Sequence, residues 1–191
     1  MRIVSGAHRG RTLKTPPGDA TRPTSDRARQ AVFNILEHAP WAPELRGARV
    51  IDLFAGSGAL GFEAISRGAG FALFVETDEE ARGAIRENAE AFHVMGRTRV
   101  HRRSAIDLGA RPRSDGEAFD LAFLDPPYRK GLGEQTLARL LEGGWLKPGA
   151  LVVFERGSDE PEIDTPGYRR LDARDYGAAR VLFLRAGSAE G

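Results

Sequence analysis

From residue 48 onward short apolar runs alternate with longer amphipathic stretches, and no other feature constrains the fold as tightly. Val50-Ile51-Asp52-Leu53, Phe71 to Val75, Arg99 to His101, Phe119 to Leu124 and Leu151 to Phe154 read as strands. Between them, helical spacing predicts a helix ending near Arg67, one from Asp78 to about Val94, and one from Leu132 to Leu141. Strands that alternate with helices pack as a mostly parallel sheet with helices on both faces. Tyr168 to Leu171 and Arg180 to Leu184, around Tyr176-Gly177, predict a closing antiparallel pair.

The first residues follow another pattern. Ile3-Val4-Ser5-Gly6 and Gly10 to Lys14 predict two short strands around a turn, and Pro16-Pro17-Gly18 breaks regular structure. A helix is expected over Arg27 to Glu37, with Ala28, Ala31, Val32, Ile35 and Leu36 on one face. Thr24 or Ser25 would cap it, with Asp26 at the positive end of its dipole. The expected division is an extension over 1–38 and a main domain over 39–187. Residues 14–24, Arg111 to Glu117 and the last five are expected to be the loosest parts.

Charge separates the two regions. Net charge is +1 over 191 residues, yet residues 1–30 hold seven basic and two acidic groups. The rest holds 21 basic and 25 acidic groups. A basic arm facing a polyanion is one reading, a solvated arm the other. With no cysteine, disulfides and thiolate metal sites are excluded. The four histidines have no metal-ligand spacing, so no metal is expected. No apolar stretch spans a membrane and Met1-Arg2-Ile3 does not open a signal peptide, so the expectation is a soluble cytoplasmic protein.

Gly56-Ser57-Gly58-Ala59-Leu60-Gly61 follows the first strand and opens a helix, the pattern of a nucleoside-binding loop. Glu76 stands 20 residues after Gly56 at the end of the next strand, where a carboxylate can accept both ribose hydroxyls. Asp52, close to the loop, selects between nucleosides. A dinucleotide would bring pyrophosphate beside this carboxylate, whereas S-adenosylmethionine brings a sulfonium and an ammonium. Two unit charges 4 Å apart interact by roughly 4 kcal/mol at an effective dielectric near 20, so the sign favours the cationic ligand. The plain alternative is that Asp52 caps a turn. Asn88 reads as a surface polar residue of its helix. Ser104-Ala105, after the third strand, occupies a position from which such folds contact adenine.

Asp125-Pro126-Pro127-Tyr128 follows the fourth strand. An amino group on a heteroaromatic base is a poor nucleophile, because its lone pair is delocalised into the ring. Asp125 and the Pro126 carbonyl can accept its two N–H bonds and favour a pyramidal nitrogen. The prolines fix φ, and Tyr128 offers a face for stacking, worth roughly 1–3 kcal/mol per base. Arg129 and Lys130 stand beside this loop, where they could hold phosphates. The alternatives are a proline-stiffened strand end with Tyr128 in the core, and a solvated turn.

Arg22 to Leu36, Asp52 to Gly61 continued by Phe62-Glu63-Ala64, and Leu124 to Tyr128, with Ile3 to Gly6 and Arg9-Gly10-Arg11, carry a resemblance over residues 1 to about 185. The chain resembles the bacterial 16S ribosomal RNA guanine(966)-N2 methyltransferases. The resemblance implies a Rossmann-like α/β class I methyltransferase with a mostly parallel seven-stranded sheet, an antiparallel C-terminal strand and an N-terminal hairpin and helix. It also implies S-adenosylmethionine as methyl donor and guanine N2 as acceptor, with the base flipped into the pocket. The cofactor is expected at Asp52, Phe54, Gly56, Gly58, Glu76, Ser104 and Ala105, and the base at Asp125, Pro126 and Tyr128. RNA is expected along Arg9, Arg11, Lys14, Arg22, Arg27, Arg29, Arg129 and Lys130. The implied partner is 16S ribosomal RNA or the small subunit; a monomer is the simplest expectation for the protein itself. Many relatives have Asp or Asn where this chain has Ser104. Two other functions fit the same residues: methyl transfer to adenine N6 or another planar amine, and a non-catalytic RNA-binding assembly factor.

Overall fold

The computed structural model describes residues 1–18 and 25–187. Arg22 and the Thr24 cap lie outside them. The elements in order are α1 (Ser25–His38), β1 (Arg49–Leu53), α2 (Ala59–Ser66), β2 (Phe71–Val75), α3 (Glu79–Ala91), β3 (Thr98–His101), β4 (Phe119–Leu124), α4 (Leu132–Glu142), β5 (Leu146–Gly157), β6 (Tyr168–Tyr176) and β7 (Ala179–Ala186). The strands form one seven-stranded sheet, ordered β3-β2-β1-β4-β5-β7-β6. β1 to β5 pair in parallel, and β7 runs antiparallel to both β5 and β6. This is the expected mostly parallel sheet with an antiparallel C-terminal strand.

The strand alternation sorts side chains between two cores. Val50, Phe74, Phe123 and Phe183 meet Phe33, Phe62 and Ile85 from α1, α2 and α3 on one face. Ile51, Leu53, Val152 and Leu184 meet Leu137 and Leu140 of α4, together with Trp145, on the other. Burial on both faces is why the central strands read as continuous apolar runs.

Three elements differ from expectation. β5 extends from Leu146 instead of starting at Leu151, because the β4–β5 register shifts between Phe119 and Leu121 and Lys147-Pro148-Gly149 breaks the apolar run. β6 continues to Tyr176 through alternating charges, as a sheet edge permits. The N-terminal hairpin forms but is shorter than expected: one antiparallel bridge, Arg2 with Thr12, flanked by the Ile3 N–H on the Arg11 carbonyl (3.0 Å), the Gly10 N–H on the Ile3 carbonyl (2.8 Å) and the Leu13 N–H on the Met1 carbonyl (2.9 Å). Ile3 and Leu13 from this arm are buried in the first core.

The arm is held by α2. The Glu63 carboxylate, fully buried, accepts the N–H groups of Val4 (3.0 Å) and Ser5 (3.1 Å). Ser66 accepts the His8 N–H at 2.9 Å through its hydroxyl and the Ala7 N–H at 2.8 Å through its carbonyl. Asn88 corrects its reading as a surface residue. It is 2% exposed, accepts the Lys14 N–H at 2.8 Å, and donates to the carbonyls of Lys14 (3.0 Å) and Ser57 (3.2 Å). It therefore ties the arm to the glycine loop.

Candidate functional site

Strand register determines which residues meet. Leu53 pairs with Val75 and with Leu124, and Leu124 with Phe154. Phe54, Glu76, Asp125 and Glu155 are each one residue past this line, side by side along the carboxyl edge of the sheet. The order reverses between β1 and β4, where ligands bind in open α/β sheets. A cavity of about 320 Å³ opens there. Asp52, Phe54, Gly56 and Ser57 line one part of it, and Asp125, Tyr128 and Glu155 another. Met1, Arg29 and Val32 contribute from the arm and α1, and Tyr176 and Val181 from the last two strands.

On the loop side, Asp52 is 1% exposed and accepts the Gly61 N–H at 3.0 Å, capping the first turn of α2. The turn-capping role and a place in the cavity wall thus coexist. Burial pushes the Asp52 carboxyl well above the usual range, the Gly61 N–H pulls it down, and the charges of Asp125 and Glu76 push it up again. Phe54 adopts φ 57, a left-handed conformation costing a non-glycine residue about 1–2 kcal/mol. A Cβ on Gly56 would meet nothing within 4 Å, so this backbone faces open space. Gly58 has a structural role: at φ +84, a Cβ there would strike the rings of Phe62 and Phe74 at 2.8–2.9 Å.

Glu76 is outside the cavity lining but holds its wall. Its carboxylate accepts the N–H groups of Gly56 (2.8 Å) and Asp78 (3.0 Å). Asp78 in turn caps α3 by accepting the Ala81 N–H at 2.7 Å.

Pro126 is buried, Asp125 and Tyr128 half-buried. The Tyr128 phenol donates to Glu155 Oε1 at 2.5 Å, a short charge-assisted bond. Glu155 is a site residue that the sequence reading missed. It follows an apolar run as Glu76 does, but only the pairing of β4 with β5 sets it beside Asp125.

Several expected residues lie elsewhere. Ala105 is buried in the second core, and Ser104 accepts the Asp107 N–H through its carbonyl; neither lines the cavity. Arg29 is a correction. It is 4% exposed, bonds to Asp26 and the Arg2 carbonyl, and sits 3.6 Å from Glu63. Burying this cation against a buried carboxylate gives it a structural role at the cavity wall in place of the exposed, phosphate-contacting one expected. Lys14 pairs with Glu87, Arg11 lies over the Phe92 ring, and Arg129 pairs with Asp159. Lys130 is exposed. Arg9 and Arg27 line an open groove between the arm and α1, with Arg2, Gln30 and Asn34. Among the described residues no cluster of three or more His, Cys, Asp or Glu could hold a metal, and no helix is long and apolar enough to cross a membrane.

A family model described as Conserved hypothetical protein 95 matches residues 1–185. Ribosomal RNA small subunit methyltransferase D of Haemophilus influenzae is 35% identical over 178 residues, covering 93% of this chain and 89% of that protein. The Escherichia coli K12 protein of the same name is 39% identical over 155 residues, covering 81% of this chain and 74% of its own length. Among solved structures, a putative methyltransferase from Escherichia coli, yhhF, superposes with a TM-score of 0.84 at 32% identity, covering 98% of both chains.

Proposed function

The chain belongs to the family of ribosomal RNA small subunit methyltransferase D, and from this premise we propose that it transfers a methyl group from S-adenosylmethionine to the exocyclic N2 amine of a guanine in 16S ribosomal RNA. The observation that carries the proposal is that Asp52 and Gly56 share one cavity with Asp125 and Tyr128. A donor and a flipped base can then meet without either crossing the molecule.

The residues fit a cationic nucleoside. Asp52 is buried with the charges of Asp125 and Glu76 acting on it, so a bound cation relieves a repulsion that a pyrophosphate would worsen. S-adenosylmethionine supplies an electrophilic methyl on a sulfonium. Glu76 fixes the Gly56 backbone and is the carboxylate for the ribose hydroxyls. Phe54 and Gly56 form the surface against which the nucleoside lies.

On the acceptor side, Asp125 and the Pro126 carbonyl accept hydrogen bonds from the amine and raise the lone-pair density on its nitrogen, and the surplus amine proton leaves to Asp125 or to water as the methyl arrives. Pro126 and Pro127 keep those acceptors from turning away. Tyr128 stacks on the base once it has left its helix. Holding the amine in line with the methyl contributes up to about 7–11 kcal/mol of the barrier. Arg9 and Arg27, in their groove beside α1, contact phosphates and position the RNA. The test is incubation with isotopically labelled S-adenosylmethionine and unmodified small subunits or their RNA, followed by nucleoside mass analysis. N2-methylguanosine is expected; N6-methyladenosine, or no transfer to either substrate, overturns the proposal.

A further inference from the structure

Glu155 has no part in the transfer just described, yet it stands in the same cavity as Asp125 and receives the Tyr128 phenol at 2.5 Å. We infer that Glu155 and Asp125 together read the Watson–Crick edge of the base, with Glu155 accepting the ring N1–H while Asp125 accepts from the N2 amine. Glu155 would then be the residue that selects guanine. This rests on the guanine-N2 reading above and deepens it.

The geometry begins with the sheet. Leu124 and Phe154 are partners on β4 and β5, so Asp125 and Glu155 each follow by one residue on strands about 4.8 Å apart. Both line the cavity, which gives its wall two neighbouring carboxylates. Ionised carboxylates only accept hydrogen bonds. They match a base edge that shows two adjacent donors and oppose one that alternates donor with acceptor.

Guanine presents N1–H beside N2–H₂, two donors in a row. Adenine presents its N6 amine beside an N1 lone pair, and cytosine its N4 amine beside an N3 lone pair. With either of these, one carboxylate faces the amine and the other a lone pair. Among the amine-bearing bases, only guanine satisfies both acceptors. A site built to accept a donor rejects an analogue lacking it, because its buried group is left unpaired.

Tyr128 completes the device. Its O–H bond to Oε1 fixes the orientation of the Glu155 carboxylate. A carboxylate has about four lone-pair sites and accepts several hydrogen bonds at once, so a base N–H can add to the contacts that Glu155 already makes. The same side chain thus supplies a stacking face for the base and an anchor for the group that reads it.

The test compares methyl transfer to small-subunit RNA carrying guanine or 2-aminopurine at the modified position. 2-Aminopurine keeps the N2 amine but has a lone pair at N1. The wild-type protein should prefer guanine at least about tenfold, as one well-placed base contact discriminates. Glu155→Gln should shrink or reverse that ratio, since its amide N–H can donate to the unprotonated N1. Glu155→Asp should keep the preference at a lower rate. If the Gln variant does not fold, Tyr128→Phe decides: it retains the ring, releases Glu155, and should cut the preference severalfold. A wild-type ratio near one, or a ratio left unchanged by Glu155→Gln or, in its place, by Tyr128→Phe, overturns the inference while leaving guanine methylation intact. Wild-type transfer to a different base would instead defeat the functional reading and this inference with it.

Discussion

The Glu76 carboxylate accepts the Gly56 N–H at 2.8 Å, so the end of β2 holds the glycine loop that follows β1. The same oxygens are the ones proposed to receive the ribose hydroxyls, so on this proposal one carboxylate both shapes the loop and binds the ligand. Glu76→Ala should weaken S-adenosylmethionine binding roughly tenfold to a hundredfold, the range for hydrogen bonds to a charged group. Calorimetry reads this directly. An unchanged affinity would show that the carboxylate serves the loop alone.

Asp52 makes binding depend on pH. Its folded-state carboxyl titrates well above the ordinary 3.8 because of burial, with Gly61 opposing and Asp125 and Glu76 reinforcing the rise. The folded protein thus holds this proton more tightly than the unfolded chain. The stabilisation is complete below pH 3.8 and is lost as pH rises through the folded value. Wild type should therefore lose thermal stability relative to Asp52→Asn as pH rises through this window. A cationic ligand favours the ionised form, so its affinity should rise over the same window and binding should release protons at the low end. Calorimetry in two buffers of different ionisation heat measures that release; none at any pH would contradict the acidic cradle.

Arginines near the N-terminus should divide into two classes. Arg29 and Arg67 flank Glu63, whose side chain is fully buried. Removing one partner of a buried pair typically costs about 3–5 kcal/mol. Arg29→Ala should accordingly lower the melting temperature strongly. Arg9→Ala and Arg27→Ala should leave the melting temperature nearly unchanged, weaken RNA binding, and reduce its salt slope by about one each. Equal effects of all three on RNA affinity at fixed folded fraction would contradict this division.

The fold was most legible where the sheet is most buried. β2 and β4 match their apolar runs residue for residue, because both faces of each strand are covered. β6 was half hidden, since an edge strand can alternate arginine with aspartate and still pair. At the site, Asp52 at the end of β1 and Gly56, Asp125 and Tyr128 just past strand ends were expected near one another, and all four line one cavity. Arg29 and Asn88 were not legible, because their partners Glu63 and Ser57 lie 34 and 31 positions away. Before the arm's path is known, a buried arginine and an RNA-facing one have the same sequence signature. Glu155 required knowledge of which strand neighbours β4.

The central claim is that one cavity holds the methyl donor against an amine gripped by Asp125, and single-turnover methyl transfer by Asp125→Ala tests it most directly. S-adenosylmethionine and RNA affinities would be measured on the same preparation. The account predicts that both affinities stay near wild type while the rate of transfer to guanine falls on the order of a hundredfold to a thousandfold, as for loss of a preorganised hydrogen-bonding group. A wild-type rate, or a rate loss matched by equal loss of RNA binding, would contradict it.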